Sequence, residues 1–457
     1  MKKILKKLIP NFILYWYHWK LAFLGAVVFG FPSRKIKVIG ITGTKGKSTT
    51  VVLAGRISQE LNPSTRSARS GNNSVVGWIS SLTIFDGKKE VMNPFHMTMP
   101  GRFFIQKTLR EMVKNGCEYA LVEVTSEGIK QHRHRFIKWA GAAFLNLAPE
   151  HLEAHGGFEK YRQAKEKLFA ATSKNKESFG VYNLDDENAE WFLKYDIKKK
   201  FGYSFDPSTS PAAAAGFAQG ILPEQASQLR GASKAMERFL ISNVQLNSNG
   251  SEFKINGVQF KTNLLGEFNV QNCAAAAAIG QACGVSLEKA SEALSKIKGI
   301  PGRLEIIDEG QDFTVVVDLA HTPDSFEKVF ALFKSLPHER IISVFGAAGG
   351  GRDKWKRPEL GKIASRYSDQ IFITNEDPYD EDLLKIADDI LAGCDQNKTD
   401  IVLDRSEAIG KALVMAKARD IVLILGKGTE QTQVIGDKKS QWDDREKVKE
   451  KLRELKN

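Results

Sequence analysis

The 457-residue sequence lacks the features that mark several classes of protein. It has only four cysteines, at positions 117, 273, 283 and 394, and none belongs to a CxxC pair or stands near a pair of histidines. We interpret them as reduced structural thiols, which fits a cytosolic compartment. Motifs of RNA- or DNA-binding proteins are also absent. The net charge of +12 therefore favours anionic substrates or an anionic membrane face, and we expect no nucleic-acid partner.

The N-terminal 34 residues differ in composition from the rest of the chain. Four lysines precede an aromatic-rich run at 12–17, and an apolar run of 11 residues follows at 21–31. A membrane-spanning helix needs about 20 apolar residues, and no convincing cleavage site for a signal peptide is present. Three interpretations stay open for residues 1–31: a helix lying at an anionic membrane surface, a helix packed on the body of the protein, or a true span.

From Lys35 onward, strand-like and helix-like segments alternate. This pattern predicts an α/β fold, with a doubly wound, mostly parallel sheet and a smaller Rossmann-like α/β domain after it. The glycine-rich loop at 43–49 indicates that the first of these is a P-loop-type ATPase domain. We expect a helical segment at 1–34, a central domain at 35–300 and a C-terminal domain at 301–457. A stretch rich in Ala, Ser, Pro and Gln at about 206–235 predicts a flexible insertion.

The predicted elements locate the candidate site. Strands are expected at 37–42, 119–124, 142–147, 180–183, 239–246, 252–262, 313–318, 340–345, 370–374 and 420–425. Helices are expected at 101–115, 161–171, 272–283, 323–334, 380–392 and 443–455. Because ligands gather at the carboxyl ends of parallel strands, polar motifs that follow strands are the candidate functional residues.

The segment after the first predicted strand has the strongest functional pattern. Gly43-Thr44-Lys45-Gly46-Lys47-Ser48-Thr49 leads into a predicted helix, although only two residues separate its glycines where a P-loop usually has four. The two glycines let backbone N–H groups approach a phosphate. Lys47 can reach the β- and γ-phosphates, and Ser48 can hold Mg²⁺. The alternative is an ordinary strand-to-helix turn with a basic residue.

Further polar groups follow other predicted strands. Glu123 ends the strand at 119–124, where a carboxylate can hold Mg²⁺ beside a nucleotide; a solvated strand-end glutamate is the alternative. The segment 146–156 contains two histidines and two acids, which indicates a polar site. Lys165 lies on the predicted helix at 161–171, and by itself it would be read as a surface lysine.

Together these motifs resemble the Mur ligases, which form amide bonds with ATP in peptidoglycan assembly. The resemblance covers about residues 36–446 in collinear order. Besides the P-loop, it rests on Glu123-Val124-Thr125-Ser126, Asn146…Glu150-His151…His155-Gly156, Tyr161…Lys165…Phe169, Gly266-Glu267-Phe268-Asn269…Asn272, Gly302-Arg303-Leu304-Glu305 and Asp318…His321…Asp324. Two later motifs, Gly349…Arg352…Pro358 and Gly426-Lys427-Gly428-Thr429-Glu430, are similar to the branch that adds the third peptide residue.

The resemblance implies a reaction: ATP phosphorylates the terminal carboxylate of a muramoyl-L-Ala-D-Glu acceptor, and an amino acid's amine attacks the acyl phosphate. It implies catalytic roles for Lys47, Glu123, His151 and a carbamoylated Lys165, and Mg²⁺ ligation by Ser48, Glu123, His151 and Lys165. The implied ATP-binding residues are Gly43, Thr44, Lys45, Gly46, Lys47, Ser48, Thr49, Asn269, Asn272, Arg303, Asp318 and His321. The implied acceptor contacts are Thr98, Thr125, Gln131 and Arg133, and the amino-acid contacts are Arg352, Asp377, Tyr379, Gly426 and Glu430.

The sequence also departs from the family pattern. Members usually begin with a domain that binds the uridine nucleotide, whereas about 34 unrelated residues precede the first strand here, so recognition of UDP stays open. Met99 stands where threonine is typical, Thr125 replaces a serine, and Thr429 replaces a histidine. Tyr379 stands where the family has an arginine, and a phenol cannot make a bidentate carboxylate clamp. Diaminopimelate is therefore disfavoured, and lysine or another diamino acid stays open.

Two other functions stay open. The first is another ligase of this architecture, of the folylpolyglutamate or cyanophycin type, although Ser48-Thr49 differs from the Gly-Ser that tends to follow the lysine in the folate branch. The second is a nucleotide-binding homologue without catalysis, against which Lys47, Glu123, His151 and Lys165 speak together. In the ligase interpretation the protein acts in the cytoplasm on small-molecule substrates and meets its acceptor at the inner membrane face if residues 1–31 bind there.

Overall fold

The computed structural model describes residues 10–61, 75–95, 98–150, 155–208, 236–351 and 354–456. They form two units, Met1–Lys298 and Gly299–Asn457. The helices of the first unit are α1 (Asn11–Val28), α2 (Lys47–Gln59), α3 (Arg102–Lys114), α4 (Ser126–Lys130), α5 (Phe158–Thr172), α6 (Ala189–Leu193), α7 (Glu267–Cys283) and α8 (Leu287–Ser295). Its strands are β1 (Lys37–Thr42), β2 (Val76–Ile79), β3 (Thr83–Phe85), β4 (Glu90–Met92), β5 (Tyr119–Glu123), β6 (Trp139–Phe144), β7 (Phe179–Asn183), β8 (Lys199–Phe205), β9 (Met236–Asn247), β10 (Gly250–Ile255) and β11 (Val258–Thr262).

Among the described residues of the first unit, eleven strands form one sheet in the order β11-β10-β9-β8-β7-β6-β1-β5-β2-β3-β4. The seven strands from β9 to β2 are parallel, and antiparallel pairs complete both edges. β1 lies between β6 and β5, and its residues from Val38 to Thr42 are buried, as expected for a strand covered on both faces. The loop after β1 therefore opens at the carboxyl edge of the sheet.

A glycine in β1 lets α5 pack directly on the sheet. A Cβ added to Gly40 would lie 2.7 Å from Cδ1 of Leu168 on α5 and 3.0 Å from the ring of Trp139. Leu168 and Trp139 are both buried in the core of this unit. The absence of a side chain at Gly40 thus sets how close α5 approaches β1.

The N-terminal helix α1 packs on the first unit. Its small residues Ala22, Gly25 and Ala26 are buried, and Gly25 faces the backbone of α3 at Arg102 and Phe103. This is one of the three arrangements that the sequence left open for residues 1–31. Within the described ranges, no helix has the length and hydropathy needed to cross a membrane.

The second unit is a smaller α/β layer structure. Its helices are α9 (Pro323–Ser335), α10 (Lys356–Tyr367), α11 (Leu383–Leu391), α12 (Arg405–Met415) and α13 (Asp444–Glu454). Its strands are β12 (Glu305–Ile307), β13 (Thr314–Asp318), β14 (Ile341–Phe345), β15 (Gln370–Ile373), β16 (Thr399–Ile401), β17 (Ile421–Leu425), β18 (Thr432–Ile435) and β19 (Lys438–Gln441). The order β12-β13-β17-β14-β15-β16 is parallel except for β12, and β18 pairs with β19 as a separate hairpin.

The α/β class with a large, mostly parallel sheet confirms the predicted fold class, but several predicted boundaries were wrong. The predicted strand at 252–262 is a hairpin, because Asn256 and Gly257 both adopt the left-handed conformation of a two-residue turn. The predicted strand at 142–147 lies at 139–144, since the chain leaves the sheet after Phe144 to contact the loop after β1. Helix α7 begins five residues before the predicted 272. Residues 209–235 of the predicted insertion lie outside the described residues.

We expect Gly40→Ala to lower the free energy of unfolding by about 1–3 kcal/mol, because the new methyl group overpacks the contact with Leu168 and Trp139. Urea denaturation of the full chain measures this change. Gly299→Ala is the matched control, since a Cβ there has no atom within 4 Å. Equal stabilities of the two variants would contradict the direct packing of α5 on β1.

Candidate active site

The loop between β1 and α2 is shaped by a glycine that no other residue can replace without strain. Gly46 precedes α2 with a φ of 79°. A Cβ at this position would lie 2.3 Å from Oδ1 of Asn272, which comes from α7. The loop therefore needs glycine for its conformation and for the close approach of Asn272. Ser48 and Thr49 follow in the buried first turn of α2.

Asn146 holds this loop from the neighbouring strand end. Its Oδ1 accepts hydrogen bonds from the backbone N–H groups of Thr44, at 3.0 Å, and Lys45, at 2.8 Å. Its Nδ2 donates to the carbonyl oxygen of Lys45 at 3.1 Å. The hydroxyl of Thr44 lies 3.1 Å from the hydroxyl of Tyr161 on α5. Asn146 and Tyr161 were part of the recognised motifs but not of the predicted site, and their spacing in sequence does not indicate this role.

Lys165 is the most unusual residue of the site, because it is a lysine that is only 2% exposed. Its Nζ donates to the carbonyl oxygen of Gly43 at 2.6 Å. Burial lowers the pKa of Lys165 well below its ordinary value; Lys47 lowers it further, whereas Glu150 and Glu123 act in the opposite direction. The environment therefore favours the neutral amine. Lys47 itself donates to the carbonyl oxygen of Thr44 at 2.7 Å.

Oxygen donors suited to Mg²⁺ lie beside the start of α2. Oγ of Ser48 is 2.6 Å from Oγ of Ser81, and the backbone N–H of Ser81 donates to Oε2 of Glu123 at 2.7 Å. Ser81 was missed, although its place just after β2 matches the strand-end rule. In the described ranges, no group of three His, Cys, Asp or Glu side chains could hold a metal by itself, so Mg²⁺ fits here only with further oxygen ligands. The predicted ligand His151 lies outside the described residues.

The other predicted ATP contacts divide between the units. In the first unit, Oδ1 of Asn272 accepts from the hydroxyl of Thr50 at 3.3 Å, and Nδ2 of Asn272 donates to Asn269 at 3.0 Å. Both asparagines thus lie beside the loop after β1. In the second unit, Asp318 accepts from the backbone N–H of Leu304, at 2.8 Å, and this contact fixes the turn that contains Arg303. His321 follows Asp318 at the carboxyl end of β13. Its backbone carbonyl oxygen accepts a hydrogen bond from Nζ of Lys356 at 2.9 Å.

Three of the four predicted acceptor contacts meet at α4. Thr125 is the N-cap of this helix, and its hydroxyl accepts from the N–H of Gly128. Arg133 donates to Oε1 of Gln131 at 2.6 Å and to the carbonyl oxygen of Met99. Thr98, the fourth, immediately precedes Met99 in the chain.

In the second unit, the predicted amino-acid contacts surround a buried lysine. Nζ of Lys427 donates to Asp377 at 2.9 Å and to Glu430 at 3.0 Å. Burial lowers the pKa of Lys427, but these carboxylates and Glu376 together raise it above its ordinary value. Lys427 belongs to the motif at 426–430, but the sequence did not predict it as a site residue.

Two glycines and a tyrosine complete this arrangement. Gly426 has a φ of 114°, and a Cβ there would lie 3.2 Å from Oε2 of Glu376. Tyr379 has a φ of 53°, and its ring lies against Gly350, where a Cβ would approach it to 2.8 Å. Arg352, the remaining predicted contact, lies outside the described residues.

Glu376 is a functional candidate that the sequence reasoning missed. It is 7% exposed, and its Oε2 has no hydrogen-bond partner among the described residues. Burial raises the pKa of its carboxyl group to about 7, against the opposing effect of Lys356 and Lys427. The sequence gives no indication that Glu376 is buried, because it lies between two polar residues, Asn375 and Asp377. A carboxyl group with a free buried oxygen can accept a hydrogen bond from a bound ammonium group.

Comparisons with protein families agree with the two units. The Mur ligase middle domain matches residues 41–280, and the Mur ligase glutamate ligase domain matches residues 302–428. These matches confirm the family resemblance found in the motifs.

Individual proteins are similar over most of the chain. The UDP-N-acetylmuramoyl-L-alanyl-D-glutamate–2,6-diaminopimelate ligase 1 of Clostridium acetobutylicum is 34% identical over 441 residues, 95% of this chain and 82% of the relative. The UDP-N-acetylmuramyl-tripeptide synthetase of Borreliella burgdorferi is 35% identical over 435 residues, 93% of this chain and 78% of the relative. A solved structure of a UDP-N-acetylmuramoyl-L-alanyl-D-glutamate–2,6-diaminopimelate ligase has a TM-score of 0.57 at 26% identity and covers 92% of this chain and 79% of its own.

Glu376 makes the stability of the substrate-free protein depend on pH. Its folded pKa of about 7 exceeds the ordinary value of 4.5, so the folded state binds more protons between these values and stability falls as the pH rises through this range. We expect Glu376→Gln to match the wild type near pH 4.5 and to exceed it by about 3 kcal/mol at pH 8. Urea denaturation at both pH values measures this difference, with Glu288→Gln, at an exposed position of the first unit, as control. A constant difference across the range would contradict the raised pKa.

Proposed function

The chain belongs to the Mur ligase family, whose members are ATP-dependent ligases that form amide bonds, and on that premise we propose that it adds an amino acid to the D-Glu carboxylate of a UDP-MurNAc-L-Ala-D-Glu-type acceptor. The reaction would serve peptidoglycan precursor synthesis and pass through an acyl phosphate. The observation that carries the proposal is the buried Lys165 beside the phosphate loop, because a binder without catalysis has no use for a buried amine at this place.

The first step would transfer the γ-phosphoryl group of ATP to the acceptor carboxylate. The N–H groups of the loop after β1 and the ammonium of Lys47 would bind the phosphates and stabilise the charge that develops on their oxygens. Asn146 keeps this loop in one conformation through three hydrogen bonds, so little reorganisation is needed when the nucleotide binds. Mg²⁺, when bound, would supply additional neutralisation of the phosphate charge. Ser48 and Glu123 would hold it through oxygen atoms, and His151 through an imidazole nitrogen.

Lys165 would act as a carbamate. Its neutral amine, favoured by burial, attacks CO₂ through nitrogen, a C–N bond forms, and one proton leaves to solvent. The product places an anionic oxygen donor where an ammonium ion would repel Mg²⁺. The neighbouring cation Lys47 stabilises the carbamate, just as it disfavours the ammonium form of Lys165.

The second step would be attack of the amino acid's amine on the acyl phosphate, with release of phosphate. For the acceptor we propose contacts from Thr98, Thr125, Gln131 and Arg133. For the amino acid we propose contacts from Arg352, Asp377, Tyr379, Gly426 and Glu430. We add Glu376, because it belongs to the acidic surroundings of Lys427. Acidic groups suit a substrate with a second ammonium group. Tyr379 lacks the guanidinium that clamps a distal carboxylate.

We also propose that the reaction takes place in the cytoplasm and that residues 1–31 contact the inner face of the membrane. The basic and aromatic composition of this segment supports membrane contact. The contact would bring the enzyme close to later lipid-linked steps of the same biosynthesis.

Phosphate release from ATP tests the ligase proposal. We expect release to require both UDP-MurNAc-L-Ala-D-Glu and one amino acid, and to be faster with lysine or ornithine than with meso-diaminopimelate, because Tyr379 cannot clamp the distal carboxylate. Tyr379→Arg should raise the rate with diaminopimelate relative to lysine.

The product of the same assay separates the alternatives. Mass spectrometry should find the tripeptide product in amounts equal to the phosphate released. Phosphate release that does not require an acceptor would refute the proposal. So would the absence of release with UDP-linked, lipid-linked and nucleotide-free acceptors alike, and that result would favour a nucleotide-binding homologue.

Lys165→Ala should reduce turnover by about 100- to 1000-fold, because it removes a preorganised anionic group next to the transferred phosphoryl group. Acetate or formate should restore part of the activity. ¹³C NMR with labelled bicarbonate should give a carbamate signal in the wild type and none in the variant. Lys160→Ala, an exposed lysine on the same helix, is the control. Wild-type turnover in Lys165→Ala would rule out the carbamate role.

A further inference from the structure

The N-terminal helix α1 is apolar on both of its faces. One face packs on α3 through its small residues, whereas on the other face the side chains of Phe12, Ile13, Trp16, Tyr17, Leu24 and Val28 are 47–65% exposed. Lys20 is the charged residue among them. A helix that is apolar all round normally has both faces covered in a folded protein or a membrane. We therefore expect another molecule to cover the outer face of α1.

Charge indicates which occupant fits. The first acidic residue of the sequence is Glu60, and residues 1–59 contain eleven lysines and arginines. Two copies of this chain would bring two positively charged segments together, which disfavours self-association through α1. An anionic lipid surface complements the charge and accepts aromatic side chains at its interface.

A basic groove adjoins the helix. The turn after α4 packs alongside α1. The ring of His132 contacts Tyr15, and the ring of Phe136 contacts Trp19 and Phe23. Phe136 also lines a groove of about 610 Å³ between this turn and the end of α5.

The groove is lined by cations and by no acidic residue. Arg135, Lys138, Lys167, Lys174 and Lys176 contribute to its wall. Within the described part of the chain, none of the four lysines forms an ion pair. The groove therefore has the charge and the size to hold phosphate groups of lipid headgroups.

We propose that the outer face of α1 and this basic groove form one docking surface for an anionic lipid bilayer. The apolar and aromatic side chains of α1 enter the interface, and the groove lysines bind headgroup phosphates. Phe136 links the two parts, because it packs on Trp19 and Phe23 of α1 and also lines the groove. This extends the proposed contact of residues 1–31 to a second, separate element of the first unit.

The docking surface is connected to the acceptor contacts. Arg102 on α3 contacts His18 of α1 and donates to the carbonyl oxygen of Gln131 at 2.9 Å. Gln131 and Arg133 stand in the same turn as Arg135 and Lys138. A bound bilayer would thus lie next to the acceptor contacts. This last point rests on the proposed ligase reaction, and the docking surface itself deepens the proposed membrane contact of residues 1–31.

Vesicle flotation of the full chain tests the surface. Wild type should float with vesicles of phosphatidylcholine and phosphatidylglycerol, and much less with phosphatidylcholine alone. The triple variant Lys138→Glu, Lys174→Glu, Lys176→Glu should bind the anionic vesicles at least about tenfold more weakly. Lys334→Glu, Lys385→Glu, Lys417→Glu, with the same change of charge in the second unit, is the control and should bind like wild type.

A second variant and its matched control test the outer face of α1. Trp16→Ser with Leu24→Ser should weaken binding to anionic vesicles, whereas Val414→Ser, at a position that is 68% exposed in the second unit, should not. Circular dichroism and thermal unfolding check that each variant is folded.

Three results would overturn the proposal: no flotation of wild type, equal loss in the groove triple and its control, or a dimer in sedimentation velocity that Trp16→Ser with Leu24→Ser dissociates. Phosphate release by the wild type without vesicles tests the ligase separately, so failure of either proposal is recognised on its own.

Discussion

Burial of a lysine amine beside the glycine-containing loop after β1 is the constraint on which the first unit depends. Lys165 reaches the carbonyl oxygen of Gly43 only because α5 packs directly on β1, and that packing needs the missing side chain of Gly40. Once buried, the amine cannot keep its charge at low cost, since desolvation and Lys47 act in the same direction. A protein that retains this arrangement has a chemical use for a neutral amine there, and the carbamate is the use that fits the proposed reaction.

The second unit presents the opposite electrostatic situation. Lys427 is fully buried but remains charged, because Asp377 and Glu430 each accept a hydrogen bond from it. Glu376 is left with an unsatisfied oxygen and a raised pKa. The first unit thus gathers cations and N–H groups suited to phosphates, and the second gathers carboxylates suited to an ammonium group. This division matches the two kinds of substrate in the proposed reaction.

Several site residues could be predicted because the loop after β1 and the motif around Glu123 are local. A few adjacent residues define the turn, and the strand before it defines the edge of the sheet. Asn146, Ser81 and Glu376 were not predicted as site residues, because their roles depend on partners 42 to 102 positions away or on burial by distant segments. His151 and Arg352 stay predictions from the family motifs, since both lie outside the described residues.

The sequence by itself determined the α/β class and the family, because these follow from hydrophobic periodicity and from motifs of a few adjacent residues. It also indicated a basic, aromatic N-terminal helix. Only the tertiary structure decided that α1 packs on α3 by one face and exposes the other, and that a basic groove adjoins it. Packing decides such features, because residues far apart in the chain determine which side chains lose water and which charges lie together.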